Sequence, residues 1–234
     1  MRKKRPSEQE VTSRREMSEG LLVLTGLKEW RLHHPKASFR EMMESRVSVP
    51  DPYLLGSEWA LGLTVYHWHG QTVYAHDGST VGQQARLRIL LDANLAITML
   101  ANGGPRDSFY RKVFNAILTE LGAVTIPDLP KPDPTLALDL SRYEGVYERP
   151  GARYEIEAAD GKLSLTFVLN PMQAQFLGKP ERITYELLPI NETHFLMPSN
   201  DPLEDTQTVA IYDFKDGDAQ YLHTNARVNP RVSN

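Results

Sequence analysis

The pattern of apolar and polar positions changes period along the chain. Leu21, Leu22, Leu24, Leu27, Trp30 and Leu32 fit one face of a helix over Ser18–His34, which Pro35 ends. Ser38 predicts the cap of a second short helix, with Glu41 in capping-box register and Met42 and Met43 packed behind it. Val49-Pro50-Asp51-Pro52 reads as an extended connector, because each proline disfavours helix in its predecessor. Trp59–His67 and Thr72–His76 are rich in aromatic and β-branched residues around a turn at Gly70, which predicts a hairpin. Gln84–Leu91 alternates Ala85, Leu87, Ile89 and Leu91 with Arg86 and Arg88, predicting a strand with its leucine face buried and its arginine face wet. Asp92-Ala93-Asn94 is a turn, with Asn94 its left-handed residue, and Leu95–Ala101 returns as a strand apolar on both faces. Asp107–Leu121 then carries Phe109, Val113, Phe114, Ile117, Leu118 and Leu121 at helical spacing.

Pro127, Pro130, Pro132 and Pro134 make residues 124–138 a semi-rigid linker. Beyond it the period is two: Arg153–Ala158 and Lys162–Leu169 flank the hairpin signal Asp160-Gly161. Ile183–Leu188, His194–Met197 and Thr208–Phe214 follow, then Asp216-Gly217 and Gln220–Thr224. Short strands at regular intervals predict a small β-barrel or sandwich. The fold class is therefore α+β: an antiparallel sheet with flanking helices, followed by a small all-β barrel. The segments are a polar arm (1–20), a sheet domain (21–123), the linker (124–138) and a barrel domain (139–234).

A net charge of −4 and a pI near 6.0 argue against a nucleic-acid partner. The absence of cysteine excludes disulfides, thiolate metal sites and a cysteine nucleophile. Arg2-Lys3-Lys4-Arg5 opens the chain without a following apolar core, so no signal peptide is expected and the basic run reads as a solvated arm. The longest apolar runs fall far short of the roughly 20 residues that span a bilayer. Localisation stays open.

The densest polar cluster is His67, His69, His76 and Asp77. The three histidines form one candidate metal site, set against the plainer reading of surface strand residues beside Trp68. Ser79, His76 and Asp77 do not make a triad, because strand neighbours point to opposite faces. A strand that runs into His76-Asp77-Gly78-Ser79 instead offers free backbone N–H groups at an edge, suited to a carboxylate or oxyanion, and Gly78 admits close approach of a ligand.

Three segments arrive in fixed order: Leu55–Leu63, His76–Gln83 with Gly78 and Gly82, and Leu95–Gly104. Together they resemble the C-terminal part of the serine β-lactamase-like hydrolases (class C-type β-lactamases, D-alanyl-D-alanine peptidases and related esterases), over about residues 18 to 122. Asp139–Arg149 resembles the start of the lipocalin-like β-barrel appended to some of them. The resemblance implies that His76 orients substrate or assists proton transfer, and that the Ser79 N–H forms half of an oxyanion hole. It implies that Gly78 and Gly82 shape the strand and its turn. Asp77 stands where threonine or serine is commoner.

The family's chemistry uses a serine with a lysine three residues on, so that one helical turn places the amine beside the hydroxyl. No serine here has lysine at that spacing, and Tyr-x-Asn and Ser-x-Asn are absent. The chain thus reads as the C-terminal portion of such a hydrolase, a fragment or truncated product, inactive alone. A small acyl substrate is expected only with the N-terminal half present, and no cofactor is implied. The uncovered apolar strand Leu95–Ala101 predicts a complementary chain or a homodimer. The second reading is a non-catalytic module whose barrel holds a small ligand or a partner chain.

Overall fold

The computed structural model describes residues 21–25, 36–44, 46–80, 83–102, 106–122, 124–199 and 205–233. The N-terminal arm, residues 26–34 of the first predicted helix with the Pro35 that ends it, and Val81, Gly82, Gly103 and Gly104 lie outside them. The chain divides into two compact units, one of residues up to Val47 with Trp59–Pro127, the other of Ser48–Glu58 with Asp128 onward.

The first unit is built on a seven-stranded sheet. Its strands are β1 (Leu21–Thr25), β2 (Val47–Ser48), β3 (Glu58–Trp59), β4 (Thr64–Trp68), β5 (Gln71–Thr80), β6 (Gln83–Leu90) and β7 (Leu95–Ala101), in the order β1-β7-β6-β5-β4-β3-β2. The helix predicted from Ser18 is corrected at its described part: Leu21–Thr25 is a strand, antiparallel to β7 from Leu21↔Met99 to Thr25↔Leu95. Five consecutive residues of Leu, Val and Thr suit either structure, and the unpaired backbone edge of β7 decides between them. That pairing also alters the expectation of an uncovered strand. Leu95, Ala96, Ile97 and Met99 are buried, and Leu100 is the large apolar side chain of β7 that stays exposed.

Each face of the sheet has its own core. Helix α1 (Lys36–Glu44) belongs with one, where Phe39 and Met43 pack with Ala60, Leu63, Val65 and Tyr74. Ser38 lies inside this helix rather than capping it, and of the methionine pair only Met43 is buried. After α2 (Pro52–Leu55), helix α3 (Arg106–Ile117) belongs with the opposite face. There Tyr110, Phe114 and Leu118 meet Trp68, Val73, Ala75, Leu90, Leu95 and Ile97. A π-helical turn over Leu118–Gly122 breaks the 3.6 period, so Leu121 is exposed, as is Phe109, whose predicted inward place Tyr110 takes. Val124 and Ile126 join this core, the latter held by its N–H donating to Asn115 Oδ1 at 2.8 Å. The first residues of the proline-bearing stretch are therefore packed rather than free.

The predicted faces of β6 are inverted. Arg88 and Leu90 are almost wholly buried on the α3 face, while Leu87 and Ile89 on the other face are only half-buried. Alternation reveals that a strand has two unlike faces. Which one turns inward depends on compensation from a neighbouring strand, and here Asp77 of β5, the register partner of Arg86, supplies it.

The second unit is a closed eight-stranded antiparallel barrel. It consists of β8 (Gly145–Arg149), β9 (Ala152–Ala159), β10 (Lys162–Val168), β11 (Arg182–Pro189), β12 (His194–Met197), β13 (Gln207–Lys215), β14 (Asp218–Thr224) and β15 (Arg227–Ser233). Both Asp-Gly hairpins form with positive φ at all four residues, and Asn94 in the sheet unit is left-handed as expected. The interior is filled by side chains. Tyr143, Tyr147, Phe195, Val209, Ile211 and Leu222 are essentially inaccessible, and Tyr147 Oη donates to the Tyr143 carbonyl at 2.8 Å. Between β10 and β11 lies α4 (Pro171–Leu177), with an Asn170/Gln173 capping box at its start and left-handed Gly178 at its end. The unit also includes Asp51, fully buried, which accepts from Tyr53 N (3.0 Å) and from Thr208 Oγ1 (2.7 Å).

Candidate functional site

Strand β5 is longer than its neighbour β4. Its register with β4 ends at Thr64↔Ala75, whereas its pairing with β6 continues from Tyr74 through Thr80. Residues 76–80 therefore run on with β6 along one edge and no β4 along the other. Left-handed Gly62 turns the chain beside this overhang, and its carbonyl lies 2.8 Å from His76 Nδ1. A carbonyl oxygen only accepts, so Nδ1 carries the proton and Nε2 is left as the acceptor of the neutral ring. His76, Gly78, Ser79 and Thr80 are exposed or nearly so. A Cβ placed on Gly78 would meet no atom within 4 Å, so no neighbour among the described residues requires glycine there. His76, Gly78 and Ser79 thus lie together on one open stretch of strand, while Gly82 lies outside the described residues.

Asp77 faces the other way. Its carboxylate accepts from Arg88 Nη1 (2.5 Å) and Nη2 (3.0 Å) and from Arg86 Nη1 (2.6 Å). The Arg88 guanidinium lies over the rings of Tyr110, Tyr66 and Trp68 at 5.0, 5.2 and 5.9 Å. Burial alone would push the Asp77 carboxyl upward, but Arg88 and then Arg86 outweigh it and hold the group below its ordinary value. Burial raises the Tyr110 hydroxyl to about 12, so the phenol stays neutral beside the ion pair. Asp77 is thus an ionised, fully engaged carboxylate on the face opposite His76, neither a base nor a contact for anything bound at the overhang. The sequence places Arg86 and Arg88 on the wet face of β6, whereas both pair with Asp77 and Arg88 is buried. The signal for them was present: two arginines two apart on a strand, beside a strand with one acidic residue.

The three histidines are not brought together. His67 lies opposite Thr72 in the register, four residues short of His76, a separation of about 13 Å along the strand. His69 sits in the turn with positive φ, its Nε2 3.3 Å from Thr125 Oγ1. Among the described residues no group of three or more His, Asp or Glu is placed to hold a metal ion. Nor is any described helix long and apolar enough to cross a membrane.

No family model matches the chain. Penicillin-binding protein 4 of Amycolatopsis lactamdurans is 33% identical over 99 residues, which are 42% of this chain and 26% of that protein. Among solved structures, SurE with D-Leu is similar with a TM-score of 0.60 at 25% identity, covering 88% of this chain and 46% of SurE. A second SurE structure shares the fold with the same TM-score at 24% identity. The chain thus spans about a quarter of the length of the curated relative and under half of SurE. In sequence and in fold, it resembles the C-terminal part of the penicillin-binding-protein and β-lactamase-like proteins, with a β-barrel following.

Proposed function

We propose that the sheet unit supplies one wall of a serine acyl-transfer site, acting on amide or ester substrates together with a nucleophile-bearing segment that this sequence does not contain. The observation that carries this reading is the overhang of β5 past β4, with His76 anchored through Nδ1 on the Gly62 carbonyl. In the reaction a serine hydroxyl attacks the acyl carbon, the carbonyl oxygen becomes an oxyanion, and the leaving group takes a proton. The Ser79 N–H stabilises that oxyanion, and one such donor contributes on the order of 10²–10³ in rate. His76, held through Nδ1, has its Nε2 left to orient the substrate or relay the leaving-group proton. Similarity to a penicillin-binding protein and to a SurE crystallised with D-Leu makes acyl compounds that carry a D-amino acid the first class to test.

By this reading the 26.5 kDa chain alone turns nothing over. The test is to recover the native protein from its own cells, map its peptides and expose it to a fluorescent fluorophosphonate. A larger product, labelled on a serine three residues before a lysine, is the expected result. His76→Ala in that product should then lower kcat/KM about 100-fold without moving Tm. An unlabelled native product of 26.5 kDa overturns the proposal.

A further inference from the structure

The barrel wall carries one element that the barrel core does not hold. On the outer face of β12, β13 and β14, His194, Ala210 and His223 form one row across the ladder, alternating with the core residues Phe195, Val209, Ile211 and Leu222. Thr208 lies on the same face, two residues before Ala210. Against this row sits the loop that leaves β2 and enters β3, whose residues Ser48–Glu58 belong to the barrel unit. A bond from the Val49 N–H to the Ser57 carbonyl (2.9 Å) closes the loop at its base.

Polar contacts hold the loop there. His194 Nε2 donates to the Pro50 carbonyl (2.8 Å), and the Tyr53 ring meets the imidazole edge-on at 5.5 Å. The buried Asp51 carboxylate spends one oxygen on the Tyr53 N–H and the other on the Thr208 hydroxyl. None of the four residues of α2 is buried, so core packing adds little, and an element held this way opens before a packed barrel does. His223, only 4% exposed, lies in the same row. The titratable and charged groups that face it are Asp51 from the loop, Arg227 from β15 and His194 from β12, while β13 brings the uncharged Thr208 and Ala210. Among the described residues no hydrogen bond joins Asp51 to His223, because both carboxylate oxygens are engaged elsewhere.

We propose that loop 49–57 is an acid-released strap, lifted from β12–β14 by a proton on His223 before the barrel itself opens. An imidazolium in this wall is desolvated beneath the loop, gains no hydrogen bond from Asp51, and lies beside Arg227 and His194; opening the loop returns it to water. Burial, with Arg227 and His194 adding to it, outweighs Asp51 and sets the His223 pKa below its ordinary 6.5. The open loop therefore binds the proton better than the closed one. Closure is at full strength above pH 6.5 and weakens as pH falls from there through the lower pKa of the closed state.

The test is hydrogen exchange of the whole chain between pH 8 and 5, corrected for the intrinsic pH dependence of exchange and read by mass spectrometry in loop 49–57 and in β9 and β10. Loop protection should fall below pH 6.5, by up to about tenfold per pH unit, the limit for one proton, and ahead of any change in β9 and β10. His223→Gln should keep the loop protected across the range. An NMR titration of the His223 ring in the unaltered chain serves where that variant does not fold, and the ring should titrate below 6.5, over the range in which the loop opens. Three exchange outcomes overturn the proposal: loop protection that does not change with pH, loop and strands losing protection in step, or an acid response that His223→Gln leaves intact. A ring that titrates at 6.5 or above overturns it as well.

Discussion

The two units treat charge and strand edges in opposite ways. The sheet unit buries an ion pair, Asp77 with Arg88, inside a ring of Tyr66, Trp68 and Tyr110, and it leaves the far half of β5 open on one edge. The barrel closes every edge and sets most of its ion pairs at the surface, Arg153 with Glu148 and Glu155, Arg182 with Glu155, and Lys162 with Glu186, while Arg231, paired with Asp218, is largely buried. A closed barrel fills its interior with side chains and needs no charge to specify its register. An open sheet has to keep an exposed overhang straight, and the Asp77–Arg88 pair fastens that overhang from one face while His76 lies on the other. The lesson is that a buried charge here sits back to back with the candidate site, not in it.

The largest effect expected is on that pair. Asp77→Asn leaves the Arg88 charge buried without compensation and should destabilise the sheet unit by about 3–5 kcal/mol in denaturant unfolding. Asp77→Val combined with Arg88→Met should recover most of the loss, since a buried pair replaced by apolar groups is often neutral. A double variant as unstable as the single one would show that the pair does more than compensate itself. In the barrel, Tyr147→Phe removes one buried hydrogen bond and strands the Tyr143 carbonyl, so a loss of about 1–3 kcal/mol is expected from the same measurement.

Acid should separate the units. His223 is buried, and burial holds its pKa below the ordinary 6.5 despite nearby Asp51, with Arg227 and His194 adding to the depression. The barrel therefore holds this contribution in full above pH 6.5 and loses it as pH falls from there through the folded-state pKa. Asp77 is also depressed. Its contribution is complete above 3.8 and disappears only as pH falls below that value. Unfolding followed by hydrogen exchange should show barrel protection declining first, and His223→Gln should flatten that decline. Equal loss in both units across pH 6.5 to 4 would contradict the assignment. The smallest change expected is from Arg153→Gln, an exposed partner of Glu148 and Glu155, which should leave the melting curve nearly where it was at ordinary salt.

Much of this was legible along the chain. Turn chemistry is local: Asn94, Asp160-Gly161 and Asp216-Gly217 adopt the left-handed conformations that their residue types predict. Alternation in Arg153–Ala158 and Lys162–Leu169 is local too, and the paired strands β9 and β10 follow it. The His76–Ser79 stretch was recognisable because its residues are contiguous. Helix α4 was not expected from the sequence: Asn170-Pro171 and Gly178 carry its start and stop signals, but Met172, Phe176 and Leu177 are exposed and leave no buried helical stripe.

The rest depended on which residues meet. The run Leu21–Thr25 suits a helix by spacing, and it becomes a strand because β7 presents a free edge to it. Arg86 and Arg88 suit water by their charge, and Arg88 is buried because Asp77 and three aromatic rings meet it there. Residue type and spacing determine turns, strand periods and the order of elements, since those depend on neighbours a few positions away. The inward face of β6, the state of β1 and the burial of Arg88 were decided by tertiary contact, because the energy of burying a group depends on partners distant in sequence.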